Sequence, residues 1–167
     1  MTILHGTTSG GTPLPLLVKS DGSLLLDGDQ SIFTAAAVMV DGTDIFTVSG
    51  GPILIYQLGA VCVTANNATA STLQYRADGT DGAATTITGA SATLASAAAG
   101  TIVAAVPGTL ATAPAIYTAG VGIAGTVPII VPAGIIEIVI GVGSTTGTWR
   151  HFLRYAPLVP GASVALA

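Results

Sequence analysis

The chain has 167 residues and a mass of 16.3 kDa, which fits one domain with a short arm. Half of the residues are hydrophobic and only 7% are charged, against about a quarter in an average domain. Four basic residues (Lys19, Arg76, Arg150, Arg154) and a net charge of -4 exclude a nucleic-acid-binding surface. Leu, Ile, Val and Phe together supply 48 positions, too many for a chain disordered by composition.

A folded monomer of this mass exposes roughly 7,500 Å². Its twelve charged side chains then stand at about one per 600 Å², a low density for a protein that must stay apart from its neighbours. The composition therefore predicts a subunit of an assembly, with part of its surface buried against other subunits. No charged residue lies between Asp81 and Glu137. Gly and Pro break that interval so often that no apolar run of about 18 residues survives, and no spanning helix is expected. The first fifteen residues lack a basic start followed by an apolar stretch, so no signal peptide is expected. A single cysteine, Cys62, excludes an internal disulfide framework. The expected place of synthesis is a cytoplasm, with no membrane partner.

Residues 1–13 are rich in Gly, Thr and Ser and read as a flexible arm. The apolar runs of Leu14 to Lys19 and Ser23 to Asp27 flank Asp21-Gly22, a hairpin signal because Gly accepts the positive φ of a tight turn. The division expected is an arm and β-hairpin over 1–30 and a β-sandwich domain over 31–167. From Ile32 onward, short β-branched runs bounded by Gly, Pro, Asn and Asp predict strands at 32–40, 45–49, 52–65, 70–77, 84–88 and 101–106. Further strands are predicted at 114–119, 127–131, 134–142, 147–156 and 162–166. The alanines within Ser31 to Met39 would suit a helix, but no helical face there is polar, so strand is preferred. Ala92 to Ala99 reads as one or two helical turns or a loop. Alternation sets Leu73 and Tyr75 on one face, and Glu137 opposite Ile136, Ile138 and Ile140. It also sets Trp149, His151, Leu153 and Tyr155 against Arg150, Phe152 and Arg154. The Gly/Ser/Thr stretch 141–147 reads as a hairpin loop that would bring Glu137 beside Arg150 and His151. Many short strands at this spacing indicate an all-β fold, an antiparallel sandwich, jelly roll or barrel.

The motifs carry little chemistry. Gly120-Val121-Gly122-Ile123-Ala124-Gly125 has the glycine spacing of a dinucleotide loop, but Pro128 and Pro132 block the helix that must follow. The pairs Asp27-Gly28-Asp29, Asp41-Gly42 and Asp78-Gly79 are explained by turns and lack calcium-loop spacing. Cys62 lies in an apolar strand, where an inert buried thiol is expected. Two histidines, His5 and His151, are too few and too far apart for a metal centre. A carboxylate pair involving Glu137 is the remaining hydrolytic option, and Arg150, Phe152 and Arg154 form a possible anion or carbohydrate contact. The expectation is a protein that is not an enzyme, with no catalytic, cofactor-binding or metal-binding residues and no cofactor.

Several phrases resemble small structural proteins of tailed-bacteriophage virions. They are the Gly/Thr-rich start, the segment Thr12-Pro13-Leu14-Pro15-Leu16-Leu17-Val18-Lys19-Ser20-Asp21-Gly22, and Gly50-Gly51-Pro52-Ile53-Leu54-Ile55. To these are added Thr69 to Tyr75, Pro132-Ala133-Gly134-Ile135-Ile136, and Trp149 to Tyr155 running into Ala156-Pro157-Leu158-Val159-Pro160-Gly161-Ala162. The resemblance implies an antiparallel β-sandwich of jelly-roll type. It also implies a capsid decoration (cement) protein or head-fibre-like component on the virion surface, a homotrimer whose partner is the major capsid protein. Tail adaptors, fibres and receptor- or carbohydrate-binding sandwiches share the same style and form the alternative.

Overall fold

The computed structural model describes residues 30–80, 82, 84–105, 110–117 and 129–167, and the backbone of four short strands before them. Those four are β1 (His5–Thr7), β2 (Pro13–Pro15), β3 (Leu17–Val18) and β4 (Leu24–Leu25). β1 pairs with β2, and β3 pairs with β4 in the register Leu17↔Leu25 and Val18↔Leu24, flanking Asp21-Gly22 as the turn chemistry predicts. The remainder of the predicted arm lies outside the described residues.

From Gln30 onward the chain forms β5 (Gln30–Phe33), β6 (Ala37–Val38), β7 (Thr43–Ser49), β8 (Ile53–Cys62), β9 (Thr72–Gly79) and β10 (Thr85–Thr86). It continues through β11 (Ile102–Ala104), β12 (Ala115–Tyr117), β13 (Ile129–Val131), β14 (Gly134–Gly141), β15 (Thr148–Pro157) and β16 (Ser163–Leu166). All of these overlap predicted strands, with β5, β7, β9 and β15 running one or two residues beyond the predicted ends, and the described residues contain no helix. The Ser31 to Met39 run is broken at 34–36 into two short strands, and Ala92 to Ala99 is a loop with a turn.

Two antiparallel sheets face each other as a β-sandwich. One has the order β10-β9-β14-β7-β16; the other runs β12-β11-β8-β15-β5, with β13 also on β8 and β6 on β15. Period-two alternation sends one set of side chains from each sheet into the shared core. Phe46, Val48, Leu73, Tyr75, Ile136, Ile138 and Ile140 come from the five-stranded sheet. Ile53, Ile55, Leu58, Ala60, Val103, Trp149 and Leu153 meet them from the other.

One prediction is corrected here. Segment 141–147 is not a hairpin loop, because β14 pairs with β7 and β9 while β15 pairs with β5, β6 and β8. It is an arch that carries the chain from one sheet to the other, so Glu137 does not meet Arg150 or His151. Its partner is Arg76, directly across from it on β9. The loop from β8 to β9 makes the reverse crossing at the same end of the sandwich, and the buried side chain of Asn66 joins the two arches. Its Oδ1 accepts from the Thr146 N–H at 2.8 Å, the Gly147 N–H at 3.0 Å and the Thr146 hydroxyl at 3.1 Å. Its Nδ2 donates to the Leu94 carbonyl at 3.0 Å. Ser71 Oγ donates to the Gly143 carbonyl, and Thr146 Oγ1 accepts from the Asn67 N–H.

Two glycines are required where backbones crowd. Gly50, between β7 and β8, has φ +73°, and a Cβ there would lie 2.1 Å from the Gly161 carbonyl oxygen. Gly59, mid-strand in β8, leaves a pit that the Phe152 ring covers.

Replacing Asn66 with Ala strands two arch N–H groups without an acceptor and is expected to cost about 2–3 kcal/mol of stability, read from urea unfolding midpoints. Gly59→Ala places a methyl group 2.4 Å from the Val103 carbonyl and 2.6 Å from Phe152 Cζ. An overpacking loss of about 1–3 kcal/mol is expected in the same assay.

Candidate functional site

The two outer faces of the sandwich differ in chemistry. On the five-stranded sheet the outward positions include Thr72, Gln74, Arg76, Asp78, Thr47 and Ser163, together with Ile135, Val139 and Glu137, whose side chain is buried among them. The Arg76–Glu137 ion pair lies there, and the carboxylate together with its hydrogen bond raises the Arg76 pKa.

The outer face of the seven-stranded sheet is apolar, and register aligns its side chains in rows. Tyr117, Ile102, Val61 and Arg150 form one row. Ala115, Ala104, Gly59, Phe152 and Phe33 form the next, with the two phenylalanine rings 6.5 Å apart. Gln57, Arg154 and Ser31 follow, with the Arg154 guanidinium over the Tyr56 ring at 5.9 Å. Ile130, Leu54 and Ala156 complete the face. Phe33 is 58% exposed and Ile130 65%. Arg150 and Arg154 are the only charged side chains on this face among the described residues, whereas Asp41, Asp44, Asp78 and Glu137 all belong to the opposite sheet or its connections. The predicted grouping of Arg150, Phe152 and Arg154 on one face is therefore realised, as part of a larger patch. Its other members come from β5, β8, β11, β12 and β13, which no local pattern ties to β15.

The opposite face of β15 points into the core, as the alternation predicts. Trp149 is fully buried, and its Nε1 is the one buried side-chain polar atom without a partner among the described residues. His151 is buried beside it, with Nδ1 3.0 Å from the Tyr75 hydroxyl and the two rings edge-on. Burial without a charged partner lowers the His151 pKa to about 4, and burial pushes the Tyr75 phenol well above its usual range. His151 and Trp149 form part of the wall of a cleft of about 260 Å³ at the open side of the sandwich. Two other clefts, at Ala77–Pro132 and at Thr93–Ile116, contain no titratable side chain.

Cys62 is a free, buried thiol whose sulfur donates to the Thr64 carbonyl, and burial raises its pKa. That arrangement gives it no nucleophilic partner. Asp41 Oδ1 accepts from the Ile140 N–H at 2.9 Å, which ties the turn before β7 to β14. Asp78-Gly79 ends β9. The segments 120–125 and Asp27-Gly28-Asp29, and His5 as a side chain, lie outside the described residues. Among the described residues no three His, Cys, Asp or Glu side chains gather as a metal site. No helix is long and apolar enough to cross a membrane. No family model, curated protein or solved structure matches this chain.

The lowered His151 pKa has a signed consequence. The unfolded chain takes up this proton near the ordinary pKa of 6.5, the folded chain only near 4. Stability is therefore full above about pH 6.5 and falls as the pH drops towards 4, by about 3 kcal/mol in all. Urea unfolding midpoints at pH 7.5, 6, 5 and 4.5 check this slope, and His151→Gln is expected to flatten it.

Proposed function

We propose that this chain is a structural protein of a bacteriophage virion, one that decorates and stabilises the capsid by binding the major capsid protein as a homotrimer. The observation that carries the reading is the apolar outer face of the seven-stranded sheet. An ordinary monomer covers such a face with charge, and among the described residues this one carries two arginines there. The face suits extended contact with protein surfaces, and the segregation of charge favours a ring. Two-fold pairing through this face would bring arginines together, whereas a heterologous ring sets them against a differently charged surface of the next subunit. Strand order supports a sandwich of jelly-roll type: β5-β15-β8-β11 faces β7-β14-β9-β10, the order of two nested Greek keys.

A second reading, a receptor- or carbohydrate-binding sandwich on the tail or a fibre, has in its favour the aromatic content of the same face. Tyr56, Tyr117, Phe33 and Phe152 all lie on it.

Immunogold labelling of intact virions with antibody to this chain separates the readings. Label over the whole shell is expected. Label confined to the tail or a vertex moves the weight to the second reading, and particles without label overturn both.

A further inference from the structure

Arg150, on the outer face of the seven-stranded sheet, is exposed and has no carboxylate partner among the described residues. Arg154, the other guanidinium there, already lies over the Tyr56 ring. The described carboxylates are unevenly answered in turn. Arg76 bonds Glu137, and its charge also acts on Asp78 and Asp41. Asp41 Oδ1 further accepts from the Ile140 N–H. Asp44 is the described carboxylate left outside that group. It is exposed and stands directly across from Glu137 in the register of β7 with β14, where like charges repel. The fold thus carries an unanswered cation and an unanswered anion on two different surfaces.

Asp44 lies at the lateral edge of the sandwich, where neither sheet has a complete outer strand. β16 covers β7 only from Phe46 to Ser49, and strand is broken at 34–36 on the facing edge. Between the two lies the cleft of about 260 Å³, flanked by the exposed side chains of Val38 and Leu166. Val40 is exposed in the connection that follows β6. No Lys or Arg lies on this edge among the described residues. Edge and outer face are therefore alike in being apolar and opposite in the charge they carry.

Their directions matter as much as their chemistry. The edge faces along the plane of the sheets and the outer face points across it, so a contact between them turns each copy relative to the last. A few copies related in that way close into a ring. The outer face of the five-stranded sheet points directly away from the other outer face, and docking there would run on as an open fibre. It also carries Arg76, which repels a second guanidinium.

We infer that the lateral edge of one copy docks on the outer face of the next, with Asp44 of the edge against Arg150 of the neighbouring copy. The inference rests on the homo-oligomer proposed above and names its two contacting surfaces. A second copy is the occupant because the chain itself supplies both halves, an apolar edge with a spare carboxylate and an apolar face with a spare guanidinium.

Sedimentation equilibrium of the full chain gives the concentration at which half of it is assembled. Asp44→Lys and Arg150→Glu should each raise that midpoint roughly tenfold, since reversal turns attraction into repulsion at every contact of the ring. The double variant Asp44→Lys/Arg150→Glu should return to within about threefold of the parent, because every contact then pairs the two new charges. Asp44→Lys sets a cation across from Glu137, and Arg150 is exposed, so both variants should keep the fold, which thermal melting checks. Should either reversal fail to fold, Asp44→Asn and Arg150→Gln serve as the second pair, each expected to raise the midpoint by a smaller factor. A parent that trimerises while the single variants assemble just as well overturns the edge-to-face contact and leaves the proposed oligomer standing. A double variant no better than the singles does the same. A lowered midpoint for Arg150→Glu indicates two-fold pairing of outer faces and also overturns it. A parent that is monomeric at every concentration removes the oligomer itself, and this inference with it.

Discussion

The carboxamide of Asn66 joins two chain crossings at one end of the sandwich, and the rest of the architecture depends on that junction. The loop after β8 and the loop after β14 each carry the chain from one sheet to the other, in opposite directions. Four of the longer strands, β8, β9, β14 and β15, are therefore tied at the same point. Thr146 and Gly147 donate to Asn66 Oδ1 and Asn66 Nδ2 donates to the Leu94 carbonyl, so the corner is held by neutral groups. A chain with so few ionisable groups has little else with which to fix a corner. Threonine, serine and asparagine side chains bonded to backbone supply the specificity that ion pairs supply elsewhere.

From that junction follows the difference between the two outer faces. β14 is held between β7 and β9, so Glu137 finds Arg76 and the five-stranded sheet keeps a paired, polar exterior. β15 is held between β8 and β5, so Phe152 lies on Gly59 and against Phe33, and the seven-stranded sheet keeps an apolar one. The low overall charge is thus unevenly distributed. Five of the seven described charged side chains sit on or beside one sheet, and the outer face of the other carries Arg150 and Arg154 among apolar neighbours. Burial of such a face gains roughly 25 cal/mol for each Å² of apolar area removed from water.

Much of this is legible in the sequence, and the limit is physical. Alternation along Trp149 to Tyr155 and along Ile136 to Ile140 identifies which side chains enter the core, because period two follows from the backbone of any strand. Pairing between strands has no such local signature. Gly141 to Gly147 has the composition of a hairpin loop and forms an arch instead, and what decides between them is Asn66, some eighty positions away. The cleft is illegible for the same reason: its walls come from 34, 35, 37, 38, 43–45, 138, 149, 151, 166 and 167, brought together only by the sandwich. A buried His151 beside Trp149 is foreseeable from the alternation; that the Tyr75 hydroxyl lies 3.0 Å from its Nδ1 is not.

The central claim is that the apolar face of the seven-stranded sheet is a contact surface between subunits. Sedimentation equilibrium of the intact chain, beside a Phe33→Glu/Ile130→Glu double variant, tests it most directly. Both side chains are well exposed, so the charges add no strain to the fold, and thermal melting of the variant should confirm that it remains folded. The account predicts a trimer mass for the parent chain and a monomer mass for the variant. A parent chain that stays monomeric at high concentration, or a variant that assembles as the parent does, would contradict it.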